Sequence, residues 1–154
     1  MRRVSPIPHI PVSASAIADS GLFIALFSPN DPLHIHADAW VNRFNGQLIT
    51  VEAVLTESAY FLQRHQRAEL AKLAASGMLK VSAPDAAAHR RMATLFEKYA
   101  NRNPDWADIS LIWLAEVSGV MRIVTVDTTD FSVYRANGRN RFDLIDWRSA
   151  GFSH

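Results

Sequence analysis

Apolar and polar positions change period several times along the chain, and each change marks an element. Ala16 to Ala18 is a short apolar run ending at Asp19, which predicts a strand. Gly21 to Phe27 predicts a helix closed by Ser28-Pro29-Asn30. From Pro32 to Phe44 the apolar residues Leu33, Ala37, Trp40, Val41 and Phe44 recur at helical spacing, and Pro32 suits a first helical position. Asn45-Gly46 marks a turn, and Gln47 to Val51 is a strand rich in β-branched residues. Glu52 to Arg64 and Arg67 to Ser76 read as helices, the second closed by Gly77. Met78 to Ser82 is a strand, and Asp85 to Asn101 a long helix. Pro104 opens a helix that runs to Ser118 and stops at Gly119. Met121 to Val126 is continuously apolar, as strands deep in a parallel sheet are, and Phe142 to Ile145 is a last strand.

Strands alternate with helices, and every connection is longer than a hairpin. The pattern predicts an α/β fold with a mostly parallel sheet and helices on both faces. Composition agrees: 49% of residues are hydrophobic and 20% charged, enough apolar material for one core. Residues 16–154 are expected to form a single domain behind a flexible extension, residues 1–15, broken by Pro6, Pro8 and Pro11. Arg2 and Arg3 are followed by no apolar export region, and no apolar run is long enough to span a membrane. A cytoplasmic protein without a membrane partner is expected. The chain has no cysteine, which excludes disulfides and thiolate metal sites. The net charge is +1, from 16 basic and 15 acidic residues, so no strong field draws in nucleic acid.

Ligands of open parallel sheets sit at the carboxyl ends of the strands. Asp19 and Asp127 follow two predicted strands there, although Asp also suits a helix N-cap or a turn. Glu57 shares a helix face with Val54 and Phe61, where an unpaired carboxylate is costly. A salt bridge to a neighbouring helix would answer that cost equally well. Asp108 lies on a helix apolar almost all round, which predicts burial. Asp105 and Glu52 stand in first turns, where negative charge suits the helix dipole. Four carboxylates meeting in one pocket repel unless a cation joins them. All-oxygen donors favour a hard ion, Mg²⁺ or Mn²⁺, and such a site suits phosphodiester hydrolysis. His34 and His36 are too close for helical metal spacing and read as surface. Leu33, Trp40 and Phe44 read as a core stripe, part of which a partner chain could cover. Trp106 and Trp113 read as core.

Four segments resemble PIN domains, in particular the VapC-like toxins of bacterial toxin–antitoxin pairs. They are Ala18-Asp19-Ser20-Gly21-Leu22, Thr50-Val51-Glu52-Ala53-Val54-Leu55-Thr56-Glu57, Asp105-Trp106-Ala107-Asp108-Ile109 and Val124-Thr125-Val126-Asp127-Thr128-Thr129-Asp130-Phe131. They occur in the family's order and span most of the chain from Ile17 to Ile145. The resemblance implies a three-layer α/β/α fold and Mg²⁺- or Mn²⁺-dependent RNA cleavage. It also implies a homodimer and a cognate antitoxin. It gives Asp19, Glu57, Asp108 and Asp127 the metal, with Ser20, Asp105 and Asp130 in support. Arg64, Arg67, Arg135, Arg139 and Arg141 become candidates for the RNA path. The extension departs from the family, whose chains usually start almost at the first strand. The alternative is a non-catalytic acidic-pocket module, either an inactive PIN fold or a receiver-like domain. A receiver would want Lys at a later strand end, where Asp127 stands. A haloacid-dehalogenase phosphatase would want a second Asp after Asp19, where Gly21 stands.

Overall fold

The computed structural model describes residues 14–149, and most of the N-terminal extension lies outside them. In chain order the elements are β1 (Ser15–Ala18), α1 (Ser20–Phe27), α2 (His34–Arg43), β2 (Gln47–Val51), α3 (Glu52–Tyr60), α4 (Arg64–Ala75) and β3 (Leu79–Ser82). Then come α5 (Ala86–Lys98), a 3₁₀ turn (Ala100–Arg102), α6 (Trp106–Ser118), β4 (Arg122–Val124), α7 (Thr128–Phe131), β5 (Arg135–Ala136), β6 (Asn140–Arg141) and β7 (Asp143–Leu144).

Five strands form one parallel sheet in the order β3-β2-β1-β4-β7. This is the α/β arrangement expected from the alternation of periods. The first strand made is the central one: Ile17 pairs with Ile49 of β2 on one side and Ile123 of β4 on the other. All four residues of β1 are buried. The chain winds outward from β1 in both directions, so the β1–β4 boundary is a switch point where a crevice opens at the strand ends. Against the sheet packs α6, whose Ile109, Leu111, Ile112 and Leu114 are almost fully buried.

Several boundaries differ from expectation for local reasons. Ser15 belongs to β1 rather than to the extension. The second helix starts at His34 and not at Pro32, because the Asp31 carboxylate accepts the Leu33 N–H at 2.8 Å and closes a turn through the proline. The helix expected to reach Arg64 stops at Tyr60. There the Gln66 side chain reaches back to the Gln63 N–H at 2.8 Å and starts α4 three residues early. Consequently Phe61 is 61% exposed and does not share a buried face with Glu57. The buried stretch of α6 also ends before its tips, where Trp106 and Val117 stand out in solvent. Trp106 is therefore not a core residue. His34 is half-buried rather than plain surface, and its Nδ1 hydrogen-bonds the Ala25 carbonyl at 2.8 Å, tying α2 to α1. Trp40 and Phe44 do stack, 4.7 Å apart, against the edge of the core.

The hairpin β5–β6 was not expected, although its signal is present. Asn137 and Gly138 both take positive φ, 54° and 76°, the backbone that an Asn-Gly hairpin turn requires. At Gly46 the constraint is space rather than φ: a Cβ there would lie 1.5 Å from the Ala14 carbonyl oxygen. No helix among the described residues is long and apolar enough to cross a membrane.

Candidate active site

Backbone geometry brings the acids to the crevice. Asp19 follows β1 and is the N-cap of α1: one carboxylate oxygen accepts the Ser20 N–H at 2.7 Å, the other the Thr125 hydroxyl at 2.8 Å. Asp127 follows β4 and caps the short α7, accepting the Asp130 N–H at 3.1 Å. Both aspartates thus do the capping work their sequence positions suggested, and they do it at the switch point. Thr125 joins them, since its hydroxyl oxygen also accepts the Asp127 N–H at 2.9 Å. Behind it, the buried Trp147 indole donates to the Thr125 carbonyl at 3.1 Å.

From the facing side come α3 and α6. Glu57 on α3 accepts the hydroxyl of Ser20, so this serine holds a carboxylate. Asp105 caps α6 through the Asp108 N–H at 2.8 Å. Asp108 is buried in the first turn, and the buried Tyr134 hydroxyl approaches its carboxylate at 3.4 Å. Tyr134 is held edge-on by Phe131 and Tyr99. Ligand atoms of Asp108, Asp127 and Asp130 fall within 4.8 Å of one another.

The charges register this crowding. Burial pushes the Asp19 carboxyl up to about 6, against its hydrogen bonds from Thr125 and Ser20 and with the charges of Glu57 and Asp105 adding to the rise. Asp108 is pushed up to about 8, first by burial and then by the charges of Asp105, Asp19, Asp127 and Asp130. Asp127 rises too, again chiefly by burial. Tyr134 rises above its usual value through burial and the Asp108 charge. Among the described residues the one cation paired with this group is Arg102, which meets Asp130 at 2.7 Å. Among the described residues no Lys or Arg pairs with Asp19, Glu57, Asp108 or Asp127. Buried carboxylates left in this state need either protons or a cation. An all-oxygen donor set fits a hard divalent ion.

Of the four carboxylates named from the sequence, Asp108 and Asp127 come together with Asp130, while Asp19 lies near Asp108 and Glu57 is joined to the residue after Asp19 through the Ser20 hydroxyl. The five arginines do not join them. Arg64 and Arg67 begin α4, with Arg67 donating to the Ala59 carbonyl at 2.8 Å. Arg135 and Arg141 face each other across the hairpin, and Arg139 lies in its loop. Sequence reasoning missed Thr125, Tyr134 and Arg102. Thr125 had a signal, a lone hydroxyl in an apolar strand two residues before an Asp. Arg102 had none, because its reach depends on the 3₁₀ turn. Also missed was a cleft of about 550 Å³ between α3 and the start of α6, which Glu57 and Asp105 share with the acidic group.

Comparison with known proteins places this geometry. Residues 16–137 match the family model described as the PIN domain. No curated protein sequence matches the chain. Several solved structures are similar to it, among them the following three. The Mycobacterium tuberculosis toxin VapC20, described as cleaving the sarcin-ricin loop, is 17% identical, with a TM-score of 0.68 over 74% of this chain and 91% of that one. VapBC2 from Rickettsia felis, bound to a DNA fragment from its promoter, is 11% identical, with a TM-score of 0.61 over 86% and 99%. VapBC-1 from nontypeable Haemophilus influenzae is 17% identical, with a TM-score of 0.55 over 86% and 98%. At these identities the likeness is one of fold.

Proposed function

The chain belongs to the PIN-domain family, and from that premise we propose that it is a divalent-metal-dependent endoribonuclease, the toxin of a toxin–antitoxin pair. One observation carries the reading: buried carboxylates crowd the switch point of the sheet, and among the described residues no Lys or Arg pairs with Asp19 or Asp108. The VapC20 toxin and the two VapBC complexes among the similar folds support the toxin assignment and a protein antitoxin as partner. A homodimer in the cytoplasm, with residues 16–154 as the nuclease unit, completes the proposal.

In this reading Asp19, Glu57, Asp108 and Asp127 hold Mg²⁺ or Mn²⁺, directly or through water. The ion supplies a water of lowered pKa and charge stabilisation at the attacked phosphate. The residues of the chain supply placement. Thr125 orients the Asp19 carboxylate and, through the Asp127 N–H, sets the spacing of the two strand ends. Ser20 orients Glu57, and Tyr134 steadies Asp108. Asp105 fixes the first turn of α6, and Asp130 stands in reserve on Arg102. Arg64, Arg67, Arg135, Arg139 and Arg141 are proposed to meet RNA phosphates away from the acids.

The test is cleavage of a mixed, structured RNA pool by purified protein with Mg²⁺, with Mn²⁺ and with chelator, beside an Asp19→Asn variant. Cutting that needs the metal and that the variant loses is the expected outcome. Equal cutting by wild type and variant would trace the activity to a contaminant and remove Asp19 from the site.

A further inference from the structure

The cleft between α3 and α6 has features that the hydrolysis of a phosphate does not use. Its interior is small-featured: Ala107 and Ser110 are buried along it, and Ala53 is half-buried. Its rim carries Trp106, a tryptophan that is 56% exposed at the first position of α6. The indole is not loose. It is backed by Phe96 at 5.7 Å and His89 at 6.1 Å, both on α5, while it also lines the cleft. An exposed indole braced by other rings and facing a slot with small walls is a stacking platform for a flat ring.

Charge selects the occupant. Among the described residues, the charged ones lining the cleft are Glu52, Glu57 and Asp105, with neither Lys nor Arg. A phosphate backbone laid along such walls would be repelled. A nucleobase carries no net charge, and its ring and exocyclic N–H groups can donate to carboxylates. Glu57 and Asp105 belong both to this cleft and to the acidic group, so the slot begins where the phosphate site ends. We propose that the cleft receives an unpaired RNA base next to the scissile phosphate, stacked on Trp106. The inference rests on the nuclease reading. It assigns the indole a role in seating that base, on a face that a base still paired in a duplex cannot reach.

The experiment maps the bond that wild-type enzyme cuts, then offers RNAs with one abasic nucleotide at each position flanking that bond. Wild type, Trp106→Ala and Trp106→Tyr are compared by kcat/KM. Stacking of one base predicts that one abasic position slows wild type about tenfold. Trp106→Ala slows the intact RNA by a similar factor and is indifferent to that same abasic position, and Trp106→Tyr recovers most of the loss. If Trp106→Ala cuts intact RNA at the wild-type rate, the inference is overturned and the cleft is left to a protein partner. If its loss multiplies with every abasic loss, the indole is structural and the inference is likewise overturned. In both cases the nuclease reading stands. Failure of wild type to cut any RNA with metal is the different result that ends both.

Discussion

Asp108 and Glu116 lie about two turns apart on α6, and the two ends of this helix treat a carboxylate in opposite ways. The Glu116 side chain is only 7% exposed, yet it is fully met: Arg91 grips it through two hydrogen bonds of 2.8 Å, and the Asn137 N–H adds a third at 2.7 Å. Burial alone would raise its carboxyl, but those partners hold it below its usual value. Asp108 is similarly buried and is surrounded by other acids, so it rises to about 8. The same helix therefore carries a balanced acid and an unbalanced one. The balanced acid closes a structural seam between α5, α6 and the hairpin. The unbalanced one leaves a charge deficit that an external cation can fill.

Removing each acid separates the two roles most sharply. Asp108→Asn is expected to lower cleavage on the order of 10³-fold, the scale of losing metal assistance worth several kcal/mol. In chelator above pH 8, where Asp108 is ionised, its melting temperature should equal or exceed that of wild type, because a repelled charge has gone. A melting temperature that falls along with the activity would make Asp108 structural and end the contrast.

The acids also respond to pH with opposite sign. Folded Asp108 binds its proton up to about pH 8, whereas the unfolded residue releases it near 4. The native state thus holds more protons between those values, and metal-free stability should fall as pH rises through that window. Glu116 is held low, so its contribution is present above the unfolded value and is lost as pH falls through the folded one. Mn²⁺ favours the ionised carboxylates. At 100 times its dissociation constant it should stabilise the fold by about 2.7 kcal/mol at pH 8, and less at pH 5.5, where it must displace protons. Melting curves with and without Mn²⁺ at the two pH values test this, and an equal gain at both would remove Asp108 from the ion's site.

Glu116→Ala should cost about 2 kcal/mol by denaturant melt while sparing kcat. A fully buried pair would cost more, but Arg91 is 38% exposed and remains partly hydrated. A large loss of kcat would show that the hairpin seam reaches into the active site. The smallest effect belongs to Arg102. Arg102→Ala removes the cation from Asp130 and should tighten Mn²⁺ binding about threefold, within the 0–1 kcal/mol of a part-exposed pair. Weaker binding by calorimetry would instead give Arg102 a positioning role at the ion.

Much of the candidate site was legible in sequence because its acids occupy places that sequence marks well. Asp19 and Asp127 end apolar runs, and Asp108 interrupts an apolar helix. The strand alternation likewise conveyed the parallel sheet, and Gln47 to Val51 was placed at its true bounds. What failed depended on local hydrogen bonds or on three-dimensional reach. Gln63 and Gln66 ended α3 early, Asp31 delayed α2, and Trp106 was assigned to the core by its company rather than by its position at a helix tip. The hairpin was missed because a two-residue strand has almost no period to detect.

The bridge made by Thr125 has a consequence for the order in which the molecule comes into being. Asp19 leaves the ribosome early, on a central strand whose neighbours β2 and β4 are both still unmade. Its carboxylate finds Thr125 only after more than a hundred further residues, and Thr125 is itself held by Trp147, beyond the last strand. Until Thr125 is made, Asp19 therefore lacks the hydroxyl that holds it in place. The cluster can close only once the segment from Thr125 to Trp147 has been made.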